Sequence, residues 1–390
     1  MSRRGFTLME AMLASALGLV VLAASLTVGV QLQRKAFIEQ QSSLIQGGTQ
    51  AVTDYFGPML QRAGEGMGNA RINLGGNGYA YAIQVTTADP FSGFPNFAPP
   101  PPAYSAQISD SLQLRWADAT AVVPLRACQL SGADGGTGGF SRETAGLCTS
   151  VAATAFDAGT AVFVVNPDLP EACSQITTGA AGNGMPGTHA PTLPAQPYPN
   201  PSDAPAGDGC SQTGALYSTA GSVVMPAGGV TFRVNWASGS PVLEYTNRAP
   251  PLPSDTWTEI SRDVERMTVA FGVRDLTIDA GVPLTWYPGV DGGVPIDQCV
   301  GANPTGPCAV PGGLGPPALD PTTWDALMRR IRAVEVRFVA RSTRREHMAS
   351  LAADAGGFAL DQDGNPDDGL VRRTLVLTLA PRNWQLAGSF

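Results

Sequence analysis

"RRGFTLMEAMLASALGLVVLAASLTVGV" (residues 3–30) decides the architecture of this chain. From Phe6 to Val30 the run holds 25 residues and one charge, Glu10. As a helix it reaches about 37 Å, enough to cross a hydrocarbon core of about 30 Å. Arg3 and Arg4 stand before it, so the positive-inside rule leaves the N-terminus cytoplasmic and the rest of the chain on the far side. An ordinary secretory signal has a shorter apolar region that ends in a small-residue cleavage site. Here the small residue, Gly5, precedes the run, so a cut after it removes the basic leader and keeps the helix. Glu10 needs a reason, because a charge inside a bilayer costs at least about 2.5 kcal/mol. Either it snorkels to the interface, one turn away, or it meets a partner.

Beyond the apolar run the helical pattern continues. Phe37/Ile38, Leu44/Ile45, Ala51/Val52, Tyr55/Phe56 and Met59/Leu60 recur every three to four residues, an amphipathic stripe. Gly47-Gly48 and Pro58 are weak points where melting or a kink is expected, and Gly64 is a natural stop. The chain therefore divides into a leader (1–5), a transmembrane helix (6–30), its amphipathic continuation (31–64) and a domain over 65–390.

That domain reads as short strands joined by Gly/Pro-rich loops. With 46 Gly, 33 Pro and only 14% charged residues, many turns and few further long helices are expected. "SLQLRW" (111–116) alternates, "TAVFVVN" (160–166) is a short apolar run, and "VTFRVNW" (230–236) turns Val230, Phe232, Val234 and Trp236 inward. "ASGSP" then leads into "VLEY" (242–245), a hairpin signal. "RMTVAFGV" (266–273), "AVEVRFVAR" (333–341) and "RTLVLTLAP" (373–381) repeat the alternation. One apolar and one polar face imply an antiparallel sheet covered on one side, laid on the helix. "DPFSGFPNFAPPPPAY" (89–104) is a Pro-rich loop. Residues 167–227 form a Gly/Pro/Ala/Ser-rich insertion, with a candidate subdivision near 228.

Six cysteines, Cys128, Cys148, Cys173, Cys210, Cys299 and Cys308, make an even count with no CxxC, and two histidines leave little for a zinc site. Disulfides in an oxidising compartment are expected, buried free thiols being the alternative. Nearest-neighbour pairing (128–148, 173–210, 299–308) is the preferred one of fifteen connectivities. "DQDGNPDDG" (361–369) gathers Asp361, Asp363, Asn365, Asp367 and Asp368, oxygen ligands of the kind calcium takes. It departs from an EF-hand loop, since Gly364 falls early, Pro366 intrudes and the twelfth position is Arg372, so a solvated hairpin turn competes. Arg329, Arg330, Arg332, Arg337, Arg341, Arg344 and Arg345 crowd one region, either a phosphate-binding patch or a solvated face. A net charge of −8 disfavours nucleic acid as a partner. No nucleophile elbow, HExxH, P-loop or dinucleotide fingerprint occurs, and no cofactor or enzymatic activity is expected beyond that calcium candidate.

Gly5-Phe6-Thr7-Leu8-Met9-Glu10 resembles the class III signal of type IV pilins and type II secretion pseudopilins. The resemblance implies cleavage between Gly5 and Phe6 by a prepilin peptidase and methylation of the new N-terminal Phe6. It also implies an ion pair between Glu10 and the N-terminal amine of a neighbouring subunit. "YFGPMLQRAG" (55–64), "EISRDVERMTVAFGVRD" (259–275), "WDALMRRIRAVEVRFVARS" (324–342) and "RRTLVLTLAPRN" (372–383) look like PilW-type minor pilins. That likeness implies an α+β, pilin-like fold and a structural role in pilus assembly, priming and a tip complex serving motility or adhesion. Its partners would be other minor and major pilins, the prepilin peptidase, the assembly platform and a tip adhesin. The chain would pass once through the inner membrane with a periplasmic domain, extracellular in the assembled pilus. Two other readings stay open: a J-type pseudopilin of type II secretion, and a pilin-tethered binding module for surfaces or DNA.

Overall fold

The computed structural model describes residues 8–68, 71–75, 78–86, 91, 93–125, 142–143, 146–148, 156, 161–166, 171–177, 192–193, 195–197, 222–274, 284–287, 328, 330–345, 366 and 368–381. Helix α1 (Leu8–Arg62) is 55 residues long, about 80 Å. It leads into β1 (Arg71–Gly75), β2 (Gly78–Ala80), β3 (Ile83–Thr86), β4 (Ser111–Ala117) and β5 (Val123–Pro124), with a 3-10 turn at Pro102–Gln107 before β4. Next come β6 (Arg142–Glu143), β7 (Gly146–Cys148), β8 (Ala161–Val165), β9 (Glu171–Thr177), β10 (Thr192–Leu193) and β11 (Ala195–Pro197). The chain closes with β12 (Val223–Asn235), β13 (Val242–Thr246), β14 (Thr258–Ser261), β15 (Val264–Val273), β16 (Thr285–Tyr287), β17 (Ile331–Arg345) and β18 (Leu370–Leu379).

The fold is α+β. A first sheet runs β14-β13-β12-β8-β9-β1-β2, with β4 bridging β12 and β3, β5 on β12 and β11 on β9. A second runs β16-β15-β17-β18, and β10-β7-β6 form a small third. The pairings are antiparallel except β1 with β9, which is parallel. β12 is the hub: Val223–Pro226 pair with β8, Ala227–Phe232 with β4, and Thr231–Asn235 with β13. Residue 228, the candidate subdivision point, therefore lies inside one continuous strand. The expected hairpin joins β12 to β13, and Gly239 in its turn has φ +76°, a conformation that glycine adopts without strain.

Helix and sheets meet through one stripe. Val52, Phe56, Leu60 and Ala63, spaced at four and three residues, are fully buried. The Phe56 ring lies 3.9 Å from Phe232 on β12 and 4.9 Å from Phe338 on β17, so one side chain touches both larger sheets. Tyr55 adds a contact to Tyr245 at 4.5 Å. This burial explains why α1 runs through Pro58, and the helix also continues through Gly47-Gly48. Pro58 sits on the exposed side, and its cost of about 3 kcal/mol is offset by buried side chains that contribute about 1.5–3 kcal/mol each. The helix does stop where expected: Gly64 has φ +77° and donates its N–H to the Arg115 carbonyl at 2.9 Å.

The second sheet follows the expected alternation. Val334, Val336 and Phe338 are fully buried, whereas Thr374, Val376 and Thr378 on β18 are exposed. The first sheet does not. All of β4 is buried, and Gln113, Arg115, Arg233 and Asn235 on the face expected in water are 8%, 1%, 2% and 9% exposed. Arg115 survives burial by donating to the carbonyls of Tyr81 (3.1 Å) and Ala249 (3.2 Å) and to Gln84 (3.2 Å). Loops thus cover that face.

Phe56→Ala should cost about 3–5 kcal/mol in urea unfolding of the detergent-solubilised chain. Gly47→Ala should stabilise by up to about 1 kcal/mol, because a Cβ there meets nothing within 4 Å. Gly228→Ala should lower the unfolding midpoint, since its Cβ would collide with the Trp116 indole.

Candidate functional site

The segment Leu8–Gln33 is 26 residues long and none of it is buried within the molecule. Leu13, Leu19 and Leu26 are 66%, 68% and 62% exposed. An apolar surface of that extent needs lipid or protein around it. Its hydroxyls cause little conflict: Ser15 donates to the Met12 carbonyl (2.9 Å), Ser25 to Val21 (2.8 Å) and Thr27 to Ala23 (2.8 Å). Glu10 is the ionisable side chain of this stretch, exposed in the first turn of α1, where a negative charge complements the helix dipole. After the span, Lys35 and Glu39 lie 4.0 Å apart. Length and apolarity thus allow one N-terminal membrane span. Gly5 and Phe6 lie outside the described residues.

Most of the other sequence candidates lie outside the described residues or are described for their backbone alone. Cys128, Cys210, Cys299 and Cys308 lie outside the described residues, and Cys148 (β7) and Cys173 (β9) are described for their backbone alone, as are Arg344 and Arg345 on β17. Asp361, Asp363, Asn365, Asp367 and Arg329 also lie outside them. Asp368 is fully buried. Its Oδ1 accepts from Arg372 (2.7 Å) and the Leu370 N–H (3.0 Å), and its Oδ2 from Arg372 (2.9 Å) and the Tyr104 hydroxyl (2.9 Å). Four donors fill the capacity of a carboxylate, so a calcium ion at Asp368 would have to displace an arginine. Among the described residues no group of three or more His, Cys, Asp or Glu gathers for a metal.

Arg372 is the centre of a buried ionic cluster. It also reaches Glu265, fully buried on β15, through two hydrogen bonds, and Arg341 on β17 approaches the same carboxylate at 3.8 Å. The Arg341 guanidinium stacks 5.2 Å from the Trp236 ring and 5.8 Å from Tyr104. Arg337 is bound to Glu335 at 2.6 Å. Arg337 and Arg341 are thus each engaged by a carboxylate. Burial pushes the Asp368 carboxyl up, but the hydrogen bonds and charge of Arg372, with the Leu370 N–H and Tyr104 hydroxyl, outweigh it and hold the group below the usual carboxylate range.

The Pro-rich loop carries geometry that the sequence did not announce. It folds over the first sheet, tied down by the backbone N–H of Trp236 to the Ala98 carbonyl (3.0 Å) and Asn235 Nδ2 to the Asn96 carbonyl (2.8 Å). Beneath it lies a cavity of about 210 Å³ walled by Phe91, Phe97, Pro99, Pro100, Ile108 and Trp236. Arg233 forms part of its lining and also lines a neighbouring groove of about 700 Å³. Arg233 is held by Glu244 at 2.6 Å with its guanidinium 3.6 Å from the Trp257 ring. The sequence signal for this cavity is the density of Phe and Pro in 89–104; the strand they cover is not readable from it.

Comparison with family models, with curated proteins and with solved structures returned no match.

Asp368→Asn should cost about 2–3 kcal/mol at pH 7 by removing the carboxylate charge that pairs with buried Arg372. A depressed folded pKa gives stability that is present above the unfolded value near 3.9 and lost as pH falls through the folded one. The gap between wild type and variant should therefore shrink in urea unfolding repeated near pH 3.

Proposed function

We propose that this chain is a prepilin whose mature form is a minor pilin of a type IV pilus. The observation that carries the reading is the order of features at the N-terminus: a basic leader, Gly5-Phe6, and an apolar helix with one acid at Glu10. The shape of the molecule supports it. A long helix has its first half uncovered and its second half packed on sheets by Val52, Phe56 and Leu60. Cleavage after Gly5 frees an amine on Phe6. In a filament, the Glu10 carboxylate of one subunit meets the amine of another, which compensates charges that are costly in lipid. The Phe6–Val30 helix anchors the subunit first in the inner membrane and then in the filament core. The domain, with its long loops, suits a few copies at the tip with other minor pilins, priming assembly and presenting an adhesin.

Mass spectrometry of sheared filaments should find this chain beginning at N-methylated Phe6, together with its partner subunits. Glu10→Ala should leave the domain folded and cleavage intact while lowering filament incorporation at least tenfold; unchanged incorporation would overturn the assembly role. Immunogold labelling should concentrate at the tip, and an even shaft distribution would refute that placement. Loss of pili and twitching on deletion, with protein secretion intact, separates this reading from a type II secretion pseudopilin.

A further inference from the structure

We propose that the free edge of β18 docks an extended strand of a partner protein, one that is apolar at alternate positions, neutral along its length and acidic at its C-terminal end. The inference uses the second sheet and the apolar N-terminal segment, and it does not depend on the pilin reading.

The edge is long and regular. Among the described residues β18 pairs with β17 alone, in a register unbroken from Val334↔Leu379 to Arg341↔Arg372. Its other side therefore presents a row of backbone N–H and C=O groups in strand geometry, which another strand matches in full. Folded proteins blunt such edges with short strands, charges, proline or a bulge. The terminal strands β14, β16 and β2 follow that rule at four, three and three residues. β18 does not. It has ten residues, and from Thr374 to Leu379 it carries no charge, no proline and no bulge. Thr, Val and Leu in an uninterrupted run on an edge are the composition that recruits a further strand. The edge is also held in place. Leu375, Leu377 and Leu379 pack on the core, and Arg372 is locked onto Glu265 and Asp368, so the ordering cost falls on the incoming segment.

The side chains of β18 set the chemistry of the occupant. Leu375, Leu377 and Leu379 are half-buried at the rim of the core, so a strand that places apolar residues beside them completes their cover. Thr374, Val376 and Thr378 face the other way and are exposed, Val376 by 48%, and they suit small or β-branched neighbours. A charge placed opposite Thr374–Leu379 meets no counter-charge on that strand. Arg373 is exposed at the N-terminal end of this run, where an antiparallel partner has its C-terminal end, so an acid there meets the guanidinium. A second copy of the chain is a poorer occupant. Thr374-Leu375-Val376-Leu377-Thr378 reads alike in both directions, so two β18 edges match antiparallel about Val376. The two-fold axis of that pair stands normal to the sheet and points the two α1 helices, packed on it through Val52–Ala63, in opposite directions. Two Leu8–Gln33 segments so arranged do not enter one membrane.

The test is fluorescence anisotropy of a labelled probe peptide, Val-Thr-Val-Thr-Val-Thr-Glu-amide, titrated with the full chain in detergent. Saturable binding is expected. Backbone N-methylation of the odd positions and of the even positions gives two further probes, because alternate N–H groups of an added strand face β18 or solvent. One set should abolish binding and the other should leave it within about threefold. Changing the last Glu to Lys should weaken binding at least threefold at low salt. In the protein, Val376→Lys puts a charge on an exposed edge position, so it should keep the urea-unfolding midpoint and weaken binding at least fivefold. If that variant does not fold, the two N-methylated probes on the unaltered chain decide. No binding up to the solubility limit of the peptide, equal loss with both N-methylated probes, or binding unchanged by Val376→Lys would overturn the proposal. Sedimentation of the chain as a dimer that Val376→Lys returns to monomer would overturn it in favour of a second copy.

Discussion

The Phe56 ring, wedged between Phe232 and Phe338, is the contact on which the rest of the structure depends. The two larger sheets come from separate stretches of chain, and each needs an apolar cover for its inner face. One helical stripe covers both. Burial of Val52, Phe56 and Leu60 contributes about 1.5–3 kcal/mol per side chain, and the ring pairs add about 0.5–1.5 kcal/mol each. Those magnitudes decide the fate of α1. They offset the cost of Pro58, so the helix stays whole to Arg62. A continuous helix can then carry the exposed Leu8–Gln33 segment away from the domain as one rod.

A second junction is polar. Arg372, Glu265, Asp368 and Arg341 lie at the edge where the second sheet meets Tyr104 and Trp236. Burying four charges is costly unless each is paired, and here each carboxylate has a guanidinium and Arg372 has two carboxylates. The cluster joins β15, β17 and β18 to the segment that precedes β4. Ile108, Ser109 and Asp110 of that segment also form a wall of the cavity beneath the Pro-rich loop. The pocket is therefore supported from both sheets, which keeps it from collapsing around its apolar lining.

The Pro-rich loop shows how a sheet face can mislead. Alternation in "VTFRVNW" places Arg233 and Asn235 opposite Phe232 and Val234, and in an isolated sheet they would meet water. In the folded chain Arg233 is 2% exposed, enclosed by Glu244, Phe91, Phe97 and Trp257. Guanidinium stacking on aromatic rings and a carboxylate within hydrogen-bonding distance make that burial tolerable. Asp368 differs from its sequence reading in the same way. In its run of aspartates it has the character of a calcium ligand; in the fold its oxygens are taken by Arg372, Tyr104 and a backbone N–H.

By itself the sequence determined the local elements: an apolar helix from its unbroken run, the stop at Gly64, the strands with period-two alternation and the hairpin after Trp236. Those are short-range properties, set by steric preference and by which side chains avoid water, and neighbours in the chain suffice to reveal them. Only the tertiary structure decided which elements meet. That Phe56 bridges two sheets, that Arg372 finds Glu265 more than a hundred positions away, and that Phe91, Phe97, Pro99 and Pro100 line a cavity with Arg233, Val234 and Trp236 all depend on contacts between distant segments. Side-chain identity limits such contacts but does not select them. They form because packing at the density of a solid, with every buried charge paired, leaves few arrangements that satisfy all of the segments at once.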